Sequence, residues 1–198
     1  MKFILFSCLA IFCAFNLNAE NEVIDKATGE AFPAEITFDY QGKNYQLDST
    51  GVSTRKKLFI KVYSVAHYLQ KGAAAGKDKL QEIMSDSNAK QLTIKWVRGV
   101  PADKVQEGYE ESFKTAIPEP AYTQLQSAIK TYIAFFNKDV EKGDEHVIRW
   151  IPGGVIEVQI KGKTAGTVTN PEFAKGLWNI WFGAKSVVNR DNLMSLMK

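Results

Sequence analysis

The chain has 198 residues, of which 45% are hydrophobic, and a chain of this length can bury a substantial core as one domain. Its 25 Lys and Arg residues nearly balance its 22 Asp and Glu residues, which leaves a formal net charge of +3. Such a balanced charge argues against a nucleic-acid-binding protein, because that class is expected to present a strongly basic face.

The first 19 residues have the pattern of a secretory signal peptide. Lys2 gives a short positive start, residues 3–15 are almost continuously apolar, and Ala19 provides a small residue for cleavage. We therefore predict an exported, periplasmic mature protein of residues 20–198 that forms one domain. Both cysteines lie in the peptide, so the mature protein is expected to hold no disulfide and no Cys-ligated metal. No second apolar run approaches the ~20 residues of a membrane-spanning helix.

The first part of the mature chain shows strand patterns. Residues 34–41 alternate and are followed by a Gly42-Lys43 turn, which predicts a hairpin with residues 44–47. Residues 50–69, TGVSTRKKLFIKVYSVAHYL, open with a turn-rich, basic entry. The β-branched and aromatic residues that follow predict one long strand that begins near Arg55. Its apolar residues fall on both faces, so this strand can wall a cavity, and an arginine at the mouth suits an anionic headgroup.

The remaining segments alternate between helix and strand patterns. A flexible joint at residues 72–76 precedes a short polar helix at about 78–84 and a strand at 91–97. Pro101 and Pro120 each start a helix, and the second carries an apolar stripe at spacings of three and four. Three further strands are predicted at residues 146–151, 155–161 and 164–169. Asn170 and Gly183 bound the last long helix, and Asn189 caps a short terminal one.

This order of elements predicts an α+β fold. Strands come early and late with helices between them, and most strand connections are tight turns. The pattern is typical of an antiparallel sheet with a layer of helices on one face.

Several segments, in this order, resemble the chalcone isomerase-like superfamily, and in particular its bacterial secreted branch. The matching pieces are Gly51 with Arg55, FIKVY at 59–63, KGD at 142–144, WIPGG at 150–154, GK at 162–163 and FAKGLWNIWFG at 173–183. The resemblance runs over roughly the whole mature chain, residues 20–198. It implies a curved antiparallel sheet covered on one face by helices, with a ligand cleft between the two layers.

The resemblance also implies which residues face that cleft. Arg55 corresponds to an arginine that meets a fatty-acid carboxylate or a polyphenol substrate in other branches; otherwise it is a solvated cation at a strand entry. Tyr63 falls where the catalytic branch has a cleft threonine, and its hydroxyl can still donate a hydrogen bond. A further cleft tyrosine comes from the helical region, where Tyr109, Tyr122 and Tyr132 are all candidates. For each tyrosine, packing in the core is the alternative interpretation.

The sequence gives little support for catalysis by a known motif. The asparagine and threonine that complete the plant catalytic set have no counterparts here, which argues against true chalcone isomerase activity. His67 and His146 are the only histidines, and the spacing of the carboxylates indicates no metal site around them. No nucleotide-binding glycine motif or hydrolase elbow is present, and we expect no cofactor.

Three functional hypotheses follow. The first is a non-catalytic periplasmic binder of a fatty acid or similar anionic amphiphile, with Arg55 at the carboxylate and a tyrosine hydroxyl beside it. The second is an intramolecular lyase or isomerase of the chalcone isomerase type, in which Arg55 and Tyr63 stabilise an enolate. The third is an envelope protein-interaction module that uses an exposed part of the aromatic cluster at residues 178–182, whose alternative role is core packing.

Overall fold

The computed structural model describes residues 21–73 and 78–197. The predicted signal peptide lies outside these residues, as does most of the predicted joint at 72–76. Within the described ranges, seven strands form one antiparallel sheet in which each strand pairs with its neighbours in the sequence. The strands of this sheet are Glu35–Tyr40 (β3), Lys43–Lys57 (β4), Ile60–Gln70 (β5), Lys90–Trp96 (β6), Glu145–Ile151 (β7), Val155–Ile160 (β8) and Lys163–Thr169 (β9). A separate small hairpin, Glu22–Ile24 (β1) and Ala31–Pro33 (β2), precedes them and was not predicted from the sequence.

The helices begin and end close to the predicted positions. They are Lys79–Met84 (α1), Ala102–Ala116 (α2), Ala121–Ile133 (α3), Pro171–Phe182 (α4) and Arg190–Leu193 (α5). The side chains of Asp78, Asn170 and Asn189 accept hydrogen bonds from the first backbone N–H groups of α1, α4 and α5, as N-cap residues do. The predicted α+β fold, a curved antiparallel sheet with helices packed on it, is therefore confirmed.

The prediction of one long strand from near Arg55 to Leu69 is wrong, as is that of a turn-rich entry before it, because β4 runs through residues 43–57. The chain reverses at Leu58 and Phe59, which join β4 to β5. Leu58 has a φ of 57°, a backbone conformation in which Gly and Asn are usual. Because a leucine stands there, this turn lacks the usual sequence signal of a tight hairpin. The reversal places Arg55 near the end of β4, directly opposite Tyr63 on β5.

Two hydrophobic clusters lie on opposite faces of the sheet. The larger one joins the helices to the sheet and includes Val65 from β5, whereas Tyr68 from the same strand belongs to the smaller one. The prediction that β5 carries apolar residues on both faces is thus confirmed. On the face of the smaller cluster, the Arg149 guanidinium on β7 lies 4.3 Å from the ring centre of Phe38 on β3. Because strands β4, β5 and β6 lie between β3 and β7 in the sheet, this contact requires the sheet to curl strongly.

The aromatic cluster of α4 belongs to the larger core. Trp178, Ile180, Trp181 and Phe182 are at most 2% exposed. The exposed aromatic surface required by the protein-interaction hypothesis is therefore not present, and the alternative interpretation of core packing is correct. In the described part of the chain, no helix has both the length and the apolar character needed to cross a bilayer.

Candidate functional site

A cleft of about 430 Å³ opens between the β4–β5 hairpin and helix α2. Its volume lies within the ~300–1,000 Å³ range of small-molecule sites. The floor is formed by apolar and aromatic side chains that are largely buried: Val62, Tyr63, Trp96, Val105, Tyr109, Ile180 and Trp181. These come from strands β5 and β6 and from helices α2 and α4, so the cleft lies between the sheet and the helical layer.

The charged side chains of the cleft are mainly cationic. Arg55, Lys57, Arg98 and Lys104 line it together with two carboxylates, Glu107 and Glu111. Lys104 Nζ lies 2.7 Å from a Glu107 carboxylate oxygen, and Lys57 Nζ lies 3.4 Å from one of Glu111. Both pairs are exposed and contribute little to stability. The remaining cations, Arg55 and Arg98, give the cleft an excess of positive charge.

Arg55 is the cation best placed to bind a ligand. Its side chain is half-buried, and its Nη1 donates a hydrogen bond of 2.8 Å to the backbone carbonyl of Val187. Among the described residues, no carboxylate forms an ion pair with Arg55. A guanidinium has five N–H donors in a planar fork. One is held by Val187, which fixes the side chain, and others remain for an anion in the cleft.

Tyr63 lies opposite Arg55 and also lines the cleft. Its hydroxyl oxygen accepts a hydrogen bond of 3.2 Å from Nε1 of Trp181. Burial raises the pKa of Tyr63 above its ordinary value, although the positive charge of Arg55 and the Trp181 hydrogen bond act in the opposite direction. The hydroxyl therefore keeps its proton at neutral pH and can donate it in a hydrogen bond to a ligand.

The three helical tyrosines occupy different places. Tyr109 on α2 lines the cleft, and burial raises its pKa, so it too remains protonated. Tyr132 on α3 is fully buried behind Tyr109, with 5.2 Å between the ring centres, and does not line the cleft. Tyr122, near the start of α3, lines a separate depression with Gln106 and Glu110 of α2. The structure thus brings Arg55, Tyr63 and Tyr109 together and leaves Tyr132 and Tyr122 outside the cleft.

Comparison with known proteins assigns the fold to a family. A family model described as chalcone isomerase-like matches residues 25–194. The chain belongs to the chalcone isomerase-like family. The crystal structure of a fatty-acid binding protein from Arabidopsis thaliana superimposes with a TM-score of 0.73 and 18% sequence identity, covering 88% of this chain and 96% of that one. At this identity the likeness concerns the fold. A search among curated protein sequences finds no match.

Two tryptophans contribute to the cleft of this chalcone isomerase-like protein that the sequence did not assign to it. Trp96 packs edge-on against Tyr63, with 5.4 Å between ring centres, and its buried Nε1 has no hydrogen-bond partner among the described residues. Trp181 holds the Tyr63 hydroxyl, as described above. The alternation of Leu92, Ile94 and Trp96 correctly predicts one face of β6, but a pattern within one strand does not show which other elements meet that face.

The two histidines are structural. Thr50 Oγ1 donates a hydrogen bond to the Leu193 carbonyl, at 2.6 Å, and accepts one from His67 Nδ1, at 2.7 Å. His67 Nε2 accepts from Nε1 of Trp178 at 3.4 Å, so both ring nitrogens are engaged. His146 is buried in the aromatic core, where its pKa falls to about 4. Within residues 21–73 and 78–197, no group of three or more acidic, His or Cys side chains is arranged to hold a metal.

Proposed function

We propose that this protein is a non-catalytic binder of a fatty acid or a similar anionic amphiphile. The observation that carries the proposal is a half-buried arginine without a carboxylate partner among the described residues, placed at an apolar cleft. In this arrangement the ligand carboxylate pairs with Arg55, and the acyl chain lies along the floor between sheet and helices.

The electrostatics of Arg55 favour a carboxylate headgroup. A guanidinium binds a carboxylate through two parallel N–H···O bonds, and such charge-assisted bonds are stronger than neutral ones. The Tyr63 hydroxyl, which is protonated at neutral pH, donates a third hydrogen bond. Arg55 is anchored by Val187, so little side-chain entropy is lost when the ligand binds.

The floor favours an acyl chain. Its side chains are aromatic or aliphatic, and burying an apolar chain against them releases about 25 cal/mol for each Å² removed from water. The cleft is partly open to solvent, so a chain longer than the cleft can extend beyond it. The fatty-acid binding activity named for the Arabidopsis neighbour is consistent with this proposal.

Native mass spectrometry with palmitate tests the proposal. Arg55→Gln removes the charge, and Arg190→Gln is the matched control, because Arg190 also donates Nη1 to a backbone carbonyl, at 3.3 Å, but does not line the cleft. We expect palmitate to bind the parent and the Arg190 variant, and to bind the Arg55 variant roughly 10- to 100-fold more weakly. Hexadecanol, which lacks the carboxylate, should not distinguish the variants. Equal palmitate affinity in both variants would refute the role of Arg55.

The same variants separate binding from catalysis. The isomerase hypothesis predicts turnover of an enone substrate that is lost in Arg55→Gln, because an enolate needs the cation and a donor to stabilise it. Palmitate binding without enone turnover supports the binder. Turnover by the parent, with loss in the variant and an unchanged melting temperature, would instead favour the enzyme.

We further propose that the protein acts in the periplasm after removal of residues 1–19. The supporting observation is the apolar run behind Lys2 and the small Ala19. Expression of the full chain in a Gram-negative host, followed by cell fractionation and N-terminal sequencing, should give a periplasmic product that begins at or near Glu20. A cytoplasmic product that retains Met1 would contradict this proposal.

A further inference from the structure

The end of the β4–β5 hairpin projects from the sheet. Strand β3 pairs with β4 only as far as Asp48, and β6 pairs with β5 only from Tyr63 onward. Around the turn at Leu58 and Phe59, residues 56–57 of β4 and 60–61 of β5 pair only with each other. Residues 56–61, which we call the hairpin tip, therefore form a free two-stranded ribbon.

The apolar side chains of the hairpin tip are exposed to solvent. Phe59 is 98% exposed, Leu58 87% and Ile60 50%. Three consecutive apolar residues at a turn contribute nothing to the core, and Leu58 also has a left-handed backbone that costs about 1–2 kcal/mol. An exposed apolar patch of this kind indicates an interaction site.

Cations surround these apolar side chains. The sequence from Arg55 to Lys61 is RKKLFIK, with four cations and no carboxylate. Lys56 is exposed, Lys61 Nζ reaches the carbonyl of Ala27, and Lys57 pairs with Glu111 on α2. The Glu111 carboxylate is the one anion that contacts this stretch among the described side chains, so the tip keeps an excess of positive charge.

We propose that the hairpin tip docks on an anionic lipid bilayer. Its apolar residues enter the boundary between headgroups and acyl chains, while the lysine ammonium groups remain at the level of the lipid phosphates. Each lysine near an anionic surface strengthens binding about fivefold. A protruding ribbon of this composition suits a membrane surface better than a protein groove, because its cations flank the apolar residues and, among the described side chains, only Lys57 pairs with a carboxylate.

The docked orientation places the cleft against the lipid. Leu58 and Ile60 belong to the hairpin tip and also line the cleft. An acyl chain can then pass from the bilayer to the cleft without crossing water. This last step rests on the proposed function, whereas the docking itself rests only on the tip.

Vesicle flotation of the signal-cleaved protein tests the docking. Phe59→Ser removes the most exposed apolar residue, and Ile24→Ser is the matched control, because Ile24 is 55% exposed on β1, outside the hairpin tip. Neither residue lines the cleft. With phosphatidylglycerol vesicles we expect Phe59→Ser to reduce the bound fraction at least about tenfold and Ile24→Ser to leave it unchanged. Pure phosphatidylcholine vesicles should bind the parent weakly, as should phosphatidylglycerol vesicles at high salt.

Fluorescence of Phe59→Trp provides a second measurement. The four native tryptophans are at most 4% exposed, so the introduced indole is the one that aqueous acrylamide quenches readily. On addition of phosphatidylglycerol vesicles, we expect its emission to shift to the blue and acrylamide quenching to fall. Unchanged quenching, or equal flotation of the parent and Phe59→Ser, would overturn the proposal. A concentration-dependent dimer abolished by Phe59→Ser, without vesicle binding, would overturn it in favour of self-association.

Palmitate binding in vesicle-free solution separates this inference from the proposed function. Phe59→Ser should bind free palmitate as the parent does, because its side chain lies outside the cleft. Loss of flotation with intact palmitate binding supports the docking. Flotation that depends on Phe59 in a protein that binds no palmitate would support docking and refute the proposed ligand.

Discussion

At the scale of single residues, His146 is placed where protonation is costly. It lies on β7, 1% exposed, with its ring centre 5.5 Å from those of both Trp96 and Phe136. Neither ring nitrogen has a hydrogen-bond partner among the described residues. Burial lowers its pKa from 6.5 to about 4, although the nearby Asp144 carboxylate acts in the opposite direction.

This pKa predicts acid destabilisation. Below pH 6.5 the His146 side chain becomes protonated in the unfolded chain, whereas in the folded chain it stays neutral until the pH approaches its folded-state pKa of about 4. The contribution of His146 to folding stability is therefore complete above pH 6.5 and is lost as the pH falls towards 4. From this group alone, the free energy of unfolding should drop by about 2 kcal/mol between pH 7 and pH 5. Urea denaturation at the two pH values measures the drop.

His146→Phe provides the control for this prediction. A phenyl ring fits the same aromatic surroundings and removes two unpaired polar atoms, so the variant should lose less stability between pH 7 and pH 5 than the parent. All other ionisable groups are the same in both proteins, so the difference between the two reports on His146. An identical pH dependence in both would show that His146 is hydrated or paired in solution.

Arg55 and Tyr63 show what the sequence could indicate about the site. Their assignment to a cleft followed from the resemblance, in which Arg55 precedes the FIKVY piece and Tyr63 ends it, and the structure places both at one cleft. Trp181 and Val187 were not assigned to it, because they hold Tyr63 and Arg55 from segments about 120 residues later in the chain. Local pattern carries no information about such contacts, which depend on how α4 packs on the sheet.

At the scale of elements, helix α2 forms one wall of the cleft. Gly108 lines the cleft, and a Cβ atom built on it would meet no atom within 4 Å. A larger side chain there would project into the space that the acyl chain is proposed to fill. Since glycine is a poor residue inside a helix, replacing it should also strengthen α2 by up to about 1 kcal/mol.

Substitutions at Gly108 therefore separate stability from binding. We expect Gly108→Phe to lower palmitate affinity at least about tenfold while the melting temperature stays the same or rises. Gly108→Ala is the matched control: it should raise the melting temperature and leave palmitate affinity nearly unchanged. Calorimetric titration and thermal unfolding measure the two effects. Undiminished palmitate affinity in Gly108→Phe would mean that the ligand binds elsewhere.

The β4–β5 hairpin explains why one element was predicted incorrectly. The hairpin at residues 40–43 was found because Gly42 marks its turn, and the turn at Gly153 and Gly154 was found for the same reason. At Leu58 and Phe59 no such residue is present, and a continuous run of apolar and β-branched residues crosses the turn. Sequence pattern alone favours a straight strand there. Tertiary packing decides otherwise, because a reversal lets both strands cover the core.

At the scale of the whole molecule, the C-terminal segment ties the cleft to the rest of the sheet. After α4, the Val187 carbonyl accepts a hydrogen bond from Arg55 Nη1. The chain then packs on β4. There Leu196 N donates a hydrogen bond of 2.9 Å to the Thr50 carbonyl, and Thr50 Oγ1 donates to the Leu193 carbonyl. We therefore expect the orientation of Arg55 to depend on contacts made by residues 193–196.

Gly51 makes this docking sterically feasible. It has a φ of 147°, and a Cβ atom there would overlap the Asn192 carbonyl oxygen and lie 2.9 Å from the Leu193 carbonyl carbon. We expect Gly51→Ala to destabilise the protein by roughly 3 kcal/mol, through backbone strain together with this overlap. Because the displaced segment carries Val187, palmitate affinity should fall as well. Urea unfolding and native mass spectrometry measure the two losses.

Gly153→Ala is the matched control for this coupling. Gly153 has a φ of 96°, but a Cβ atom there would meet nothing within 4 Å, so its replacement introduces strain without displacing another segment. It should cost about 1–2 kcal/mol of folding stability and leave palmitate affinity at the parent value. If Gly51→Ala kept full affinity under conditions where it is folded, Arg55 would be held by β4 alone. Loss of affinity in Gly51→Ala but not in Gly153→Ala would instead establish that the C-terminal segment positions the arginine.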